Sequence, residues 1–114
     1  PELLRRVQKH ADRGNAEAQF QLGDAYSYGI LGLKNNPKRA RHFYELAAAQ
    51  GHARAQFLFG KFYQFGYGVE IDYKTAVLWL RRAAEQGHFH AQCNLGFLFY
   101  GGRGVAQSYD EAVK

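Results

Sequence analysis

The chain has 114 residues, so one small domain is its upper bound. Fifteen Lys and Arg against ten Asp and Glu give a formal charge of +5, and 46% of the residues are hydrophobic, too many for a disordered chain. The single cysteine, Cys93, excludes an internal disulfide and with it the disulfide-stapled secreted class. No apolar run approaches the roughly 18 residues of a membrane span, so no membrane partner is expected. The chain starts at Pro1 and has no Met, which reads as a piece of a longer protein and leaves localisation unassigned. Thirteen Gly against two Pro is an odd balance for loops. It places glycines inside or at the ends of regular elements, repeatedly.

In chain order, residues 2–13 come first and read as the second helix of a preceding unit. Leu3 lies one unit length before Ala40. Then a segment recurs three times. Gly14-Asn-Ala-Glu-Ala-Gln-Phe-Gln-Leu-Gly23 matches Gly51-His-Ala-Arg-Ala-Gln-Phe-Leu-Phe-Gly60 and Gly87-His-Phe-His-Ala-Gln-Cys-Asn-Leu-Gly96. A second segment, Ala40–Gly51, recurs as Ala76–Gly87. The units are residues 14–50, 51–86 and a partial 87–114, a spacing that marks a solenoid. The one extra residue of the first unit lies in the loop Gly29-Ile-Leu-Gly32.

Each unit is predicted to be two helices, so the fold class is all-α. The first helices carry Ala18, Leu22 and Tyr26, then Ala55, Phe59 and Tyr63, then Ala91, Leu95 and Phe99, a spacing of four that keeps to one face. The second helices carry Ala40, Phe43, Tyr44, Ala47 and Ala48, then Ala76, Trp79, Leu80, Ala83 and Ala84, one amphipathic stripe. Asn36, Asp72 and Ser108 stand just before the second helices and are good N-caps. Pro37 follows at the first helical position, and Ser108 with Glu111 forms a capping-box pattern. Gly51 and Gly87 are expected to end second helices, and Gly29, Gly66 and Gly102 first helices. Gly23, Gly60 and Gly96 fall mid-helix, each at a cost of about 1 kcal/mol relative to Ala. A close approach of the second helix explains them, with Ala47/Ala48 and Ala83/Ala84 expected opposite. A helix break there is the weaker reading, because the stripe runs through.

The motifs Ala-Gln-Phe-x-(Leu/Phe)-Gly, Gly-x-Gly-Val, Asp-x-x-x-Ala-x-x-Trp and Ala-Ala-Glu-Gln-Gly-His resemble the Sel-one-like repeat (SLR) family. That family is a 36-residue relative of the tetratricopeptide repeats. The resemblance runs from about Gly14 to Lys114 and is fullest over His52–Gly87. The first unit departs at Gly-Ile-Leu-Gly-Leu and at Phe43, which replaces the signature Trp79. The third ends before a match to Trp79. The resemblance implies a right-handed α–α superhelix that binds other macromolecules, as an adaptor or scaffold in complex assembly, protein quality control, signalling or host–microbe contact. It also implies that the two ends are uncapped core surface, so the fragment is expected to associate end to end.

Other chemistries fare less well. His88, His90 and Cys93 have zinc-ligand character, with His52 and His10 elsewhere. However, His52 and His88 share one unit position, and Cys93 stands where the other units have Phe20 and Phe57. No metal or cofactor is therefore expected. Ser27, Ser108, Thr75 and Cys93 form no nucleophile constellation, so no enzyme is expected. The glycine loops, including Gly101-Gly-Arg-Gly104, lack a P-loop ending. The basic residues Lys38, Arg39, Arg41 and His42, then Lys74, Arg81 and Arg82, after Arg5, Arg6 and Lys9, mark the second helices. They suit either a solvated face or nucleic acid and anionic surfaces, and Glu45 and Glu85 interrupt them.

The surface best suited to function is the concave side, lined by first helices. Off the core stripe these carry Glu17, Phe20, Asp24 and Ser27, then Arg54, Phe57, Lys61 and Gln64, then His90, Cys93, Phe97 and Tyr100. A row that varies between units over a fixed core suits a peptide or protein segment. Phe20 and Phe57 are expected to pack between helices. The candidate partner-binding residues are Asp24, Ser27, Arg54, Lys61, Gln64, His90, Phe97 and Tyr100. The alternatives are the basic second-helix surface and a structural spacer in a larger protein.

Overall fold

The structure, a computed structural model, describes residues 1–101. These form six helices: α1 Glu2–Asp12, α2 Ala16–Tyr28, α3 Pro37–Ala49, α4 Ala53–Phe65, α5 Tyr73–Glu85 and α6 Phe89–Tyr100. Among the described residues there is no strand, and no helix is long and apolar enough to cross a membrane. Each helix packs mainly on its neighbours in the chain, the arrangement of a helical-repeat solenoid.

The helix ends follow from local chemistry. The Asn36 side chain accepts from the Arg39 amide at 3.1 Å. Asp72 accepts from the Thr75 amide at 3.1 Å and from its hydroxyl at 2.7 Å. Those bonds, the hydroxyl's first, hold the Asp72 carboxyl below its usual pKa. After α3, Gly51 at φ +92° donates to Ala48 O, and His52 donates back to Ala47 O. This satisfies carbonyls that the helix end would leave open. Gly87 repeats the arrangement, and Gly29 and Gly66 close α2 and α4 in left-handed conformations. α6 ends at Tyr100 with Gly101 following. The caps expected at Gly102 and Ser108 lie outside the described residues.

The core stripes bury as the periodicity requires. Val7, Ala11, Ala18 and Leu22 join α1 to α2. Ala40, Tyr44, Ala47, Ala48, Ala55, Phe59 and Phe62 fill the next layer, and Ala76, Leu80, Ala83, Ala91, Leu95 and Phe99 the one after. Trp79 lies half-buried, edge-on to Phe59 at 5.3 Å. Its counterpart Phe43 stacks flat on Tyr26 at 5.7 Å.

Gly23 and Gly60 are close-approach sites, and α2, α4 and α6 run unbroken through Gly23, Gly60 and Gly96. The residues opposite differ from expectation. A Cβ on Gly23 would lie 2.5 Å from two Tyr44 ring carbons. One on Gly60 would lie 2.9 Å from Leu80 Cγ and 3.1 Å from the Ala76 carbonyl oxygen. The notch thus receives a large side chain of the second helix. Ala47 and Ala48 lie a turn further on, in the same buried cluster as Ala55 of the next unit. Smallness at these alanines serves the joint between units. Gly96 is half-buried on α6, and the residues expected to face it lie outside the described residues.

A side-chain amide ladder links the units. Gln19 and Gln56 are buried, and Gln92 occupies the same unit position. They donate to Ala11 O at 3.3 Å, Ala48 O at 3.2 Å and Ala84 O at 3.2 Å, carbonyls in the last turn of the preceding helix that each also accept from the amide of the following glycine. Gln50 in turn donates to Gln19 Oε1 at 2.7 Å, and Gln86 to Gln56 Oε1 at 2.8 Å.

Two predictions follow from this packing. Gly60→Ala should destabilise by about 1–2 kcal/mol, because overpacking outweighs the roughly 1 kcal/mol gain in helix propensity. The check is a lower urea midpoint at unchanged slope. A double-mutant cycle on Gln56→Ala and Gln86→Ala should give a coupling of about 0.5–1.5 kcal/mol. Additive effects would mean that the two amides act separately.

Candidate interaction face

The face presented by the first helices begins at their N-caps. Asn15, His52 and His88 occupy one position of successive units. The Asn15 side chain accepts from Ala18 N–H at 2.8 Å. His52 Nδ1 accepts from Ala55 N–H at 3.1 Å and His88 Nδ1 from Ala91 N–H at 3.2 Å. Each ring must therefore keep Nδ1 unprotonated. His52 then carries its proton on Nε2, 2.7 Å from Glu17 Oε2, to which it donates.

The same rings bridge the units. Phe20 stacks on His52 at 4.6 Å and Phe57 on His88 at 4.7 Å. Phe20 is buried and Phe57 half-buried, so both pack between helices as expected. Cations cover them: the Arg54 guanidinium lies 4.9 Å from the Phe20 ring centre and Lys61 Nζ 5.7 Å from that of Phe57. Burial first, then the His90 and Arg54 charges, pushes the His88 imidazole below its ordinary pKa.

The candidate residues separate into groups. Arg54 and His90 are exposed beside this ring ladder, His90 lying 6.0 Å from Phe57. Ser27 and Lys61 share the wall of one cavity of about 290 Å³ between α2 and α4. Phe97, 74% exposed, and Tyr100 project from α6, away from that cavity. Asp24 is half-buried and accepts from the Tyr44 hydroxyl at 2.5 Å. Burial, reinforced by that bond, drives the Tyr44 hydroxyl pKa strongly upward. Gln64 departs from expectation. It is 9% exposed, and its Oε1 accepts from Asn94 Nδ2 at 2.8 Å. It joins α4 to α6 and does not present to the open face.

Several cations of the basic stripe on the second helices pack on aromatic rings. Arg39 lies over Tyr26, Arg82 over Trp79 and Arg81 over Phe99. Arg41 is half-buried with its guanidinium 3.5 Å from the Tyr63 hydroxyl, at the position that Val77 fills in the next unit. The capping role of the histidines was missed in the sequence, although Asn15 at the same offset as His52 and His88 carried the signal. The cavity walls Tyr28, Leu58 and Tyr67 gave none, because they meet only when α2, α4 and their loops are stacked.

The stacked two-helix units define the class as a helical-repeat solenoid. The Sel1 repeat profile matches residues 16–52, 53–88 and 89–114, and the chain belongs to the Sel1 repeat family. Among solved structures it is similar to a protective antigen of uropathogenic Escherichia coli displaying an SLR fold. That likeness has a TM-score of 0.90 and 35% identity, over 96% of this chain and 23% of the other. A Sel1 repeat protein from Oxalobacter formigenes gives a TM-score of 0.86 and 36% identity, over 98% of this chain and 84% of that one. Among curated relatives, HRD3A of Arabidopsis thaliana, a component of an ERAD-associated E3 ubiquitin-protein ligase, is 35% identical over 54% of this chain and 9% of its own length. Chitin synthase regulatory factor 1 of Schizosaccharomyces pombe is 39% identical over 54% and 14%. The chain thus spans about a tenth of the length of these curated relatives.

The capping geometry predicts a pH effect. The folded state favours neutral His88, so its contribution is full above the ordinary value of 6.5 and is lost as pH falls through the depressed folded value. His88→Asn should keep the cap, as Asn15 does, and remove this component. The difference between the two stability–pH profiles, measured by urea unfolding, should open below about pH 6.5. Parallel profiles would refute it.

Proposed function

We propose that this chain is a protein-interaction module that holds a peptide or protein segment against the face of its first helices. The observation that carries this reading is the contrast between an invariant packing frame and a varied open row. Glu17, Arg54 and His90 share one unit position, and Asp24, Lys61 and Phe97 another, over the same buried stripe. A preformed surface of this kind loses little conformational freedom on binding. The ligase component and the regulatory factor among its relatives support a role in complexes and not in catalysis. A basic surface for nucleic acid along the second helices is the second reading, interrupted by the exposed carboxylates Glu45 and Glu85.

The test is selection from a displayed random-peptide library, followed by titration of the enriched peptides. Lys61→Glu and Phe97→Ala should each weaken binding at least about fivefold, a loss of roughly 1 kcal/mol, while the thermal unfolding midpoint stays near that of the parent. No enriched peptide, or full affinity in both variants, would overturn the proposal.

A further inference from the structure

The cavity between α2 and α4 has a composition of its own. Leu58, Phe62 and Pro37 give it apolar walls, with Tyr28 and Tyr67 beside them, and Lys61, Ser27 and Asn35 supply its polar groups, the Asn35 amide donating to the Ser27 carbonyl. Its volume of about 290 Å³ suits one large side chain better than a whole small molecule. The Tyr67 wall is set by backbone packing. Gly68, at φ +67°, lies so close to α3 that a Cβ there would be 2.9 Å from Pro37.

The two cations near this cavity stand without a salt bridge. Both carboxylates of the neighbouring row are engaged, Glu17 by His52 and Asp24 by Tyr44. Lys61 and Arg54 have no carboxylate partner among the described residues: Glu2 pairs with Arg6, and Glu17 accepts from His52 Nε2. Each cation lies over a ring, which attracts it but leaves its charge uncancelled. Seven residues apart on α4, they are spaced by about 10.5 Å along the helix axis. An extended chain covers that distance in roughly three residues.

We infer that this site takes an extended acidic peptide: a bulky apolar side chain enters the cavity, an adjacent carboxylate meets Lys61, and a second, about three residues away, meets Arg54. The inference rests on the interaction reading above and specifies its ligand.

The experiment is fluorescence anisotropy with fluorescein-labelled Gly-Glu-Ala-Ala-Glu-Leu-Gly and its reversed sequence. Companion peptides carry Gln or Lys for both Glu, or Ala for Leu, and a ten-nucleotide single-stranded RNA is the competing probe. One of the two Glu-Leu peptides should bind at least about threefold more tightly than its Gln and Lys forms, the combined effect of two surface ion pairs. The Ala form should also be weaker. In Lys61→Glu the preference should shift toward the Lys peptide, and Ser27→Trp, which fills the cavity, should erase the advantage of Leu over Ala. Circular dichroism melts establish that both variants are folded. Equal binding of the Gln or Lys forms would overturn the acidic preference and leave the interaction reading standing. RNA that binds Lys61-dependently and more tightly than every peptide would overturn it in favour of nucleic acid. Absence of binding by all peptides would overturn this site alone, since the library selection decides the broader reading independently.

Discussion

At Gly60 the first helix comes so close to the second that a single methyl group would collide with both a side chain and a backbone oxygen, Leu80 and the Ala76 carbonyl. At Gly23 the flat ring of Tyr44 occupies the corresponding space. This contact sets the separation of the two helices in each unit, and much else depends on it. It seats Tyr44 deeply enough for its hydroxyl to reach Asp24. It also leaves Ala47 and Ala48 facing onward, where only small side chains let the next unit approach. A glycine that costs about 1 kcal/mol in an isolated helix is here the condition for a dense core.

The joints between units combine apolar packing with amides. A buried Gln accepts one hydrogen bond and donates another, so neither end of its side chain is stranded away from water. The capping histidines work similarly. One nitrogen closes a helix, while the ring face packs on a phenylalanine of the preceding unit. Polar groups at these joints are thus matched to partners that recur with the chain period. One exception among the described residues is the Arg41 Nε, buried between α3 and α4 without a partner; on the open face, Lys61 and Arg54 carry charge without a matching acid.

The architecture was legible because it is written three times. The stripes through Leu22, Phe59 and Leu95, the caps at Asn36 and Asp72, and the glycines at both kinds of helix end are local signals tied to helix geometry. The contents of the Gly23 and Gly60 notches were not legible. Alanine and tyrosine both lie on the second-helix stripe, and only the relative rotation of two helices chooses between them. Gln64 illustrates the same limit. Its place in the row matched exposed neighbours, but its environment is decided by Asn94 on the next first helix. Phe20 and Phe57 were readable as packing residues, whereas the cavity near Lys61 draws its walls from separate helices and loops and leaves no sequence pattern.

The amide ladder also bears on how such an array can change length. Every joint is made by the same atoms at the same place in the period, with Gln56 treating Ala48 as Gln19 treats Ala11. One joint does not distinguish its unit from another, so units are interchangeable parts. Adding or losing a whole unit restores an equivalent joint. A change of half a period would set a donor against a surface with no waiting carbonyl. The single extra residue in the Gly29–Gly32 loop is absorbed because it falls between the amides and leaves their alignment intact. Growth by duplication of whole units is therefore built into the hydrogen bonding itself, independently of what the open face has come to bind.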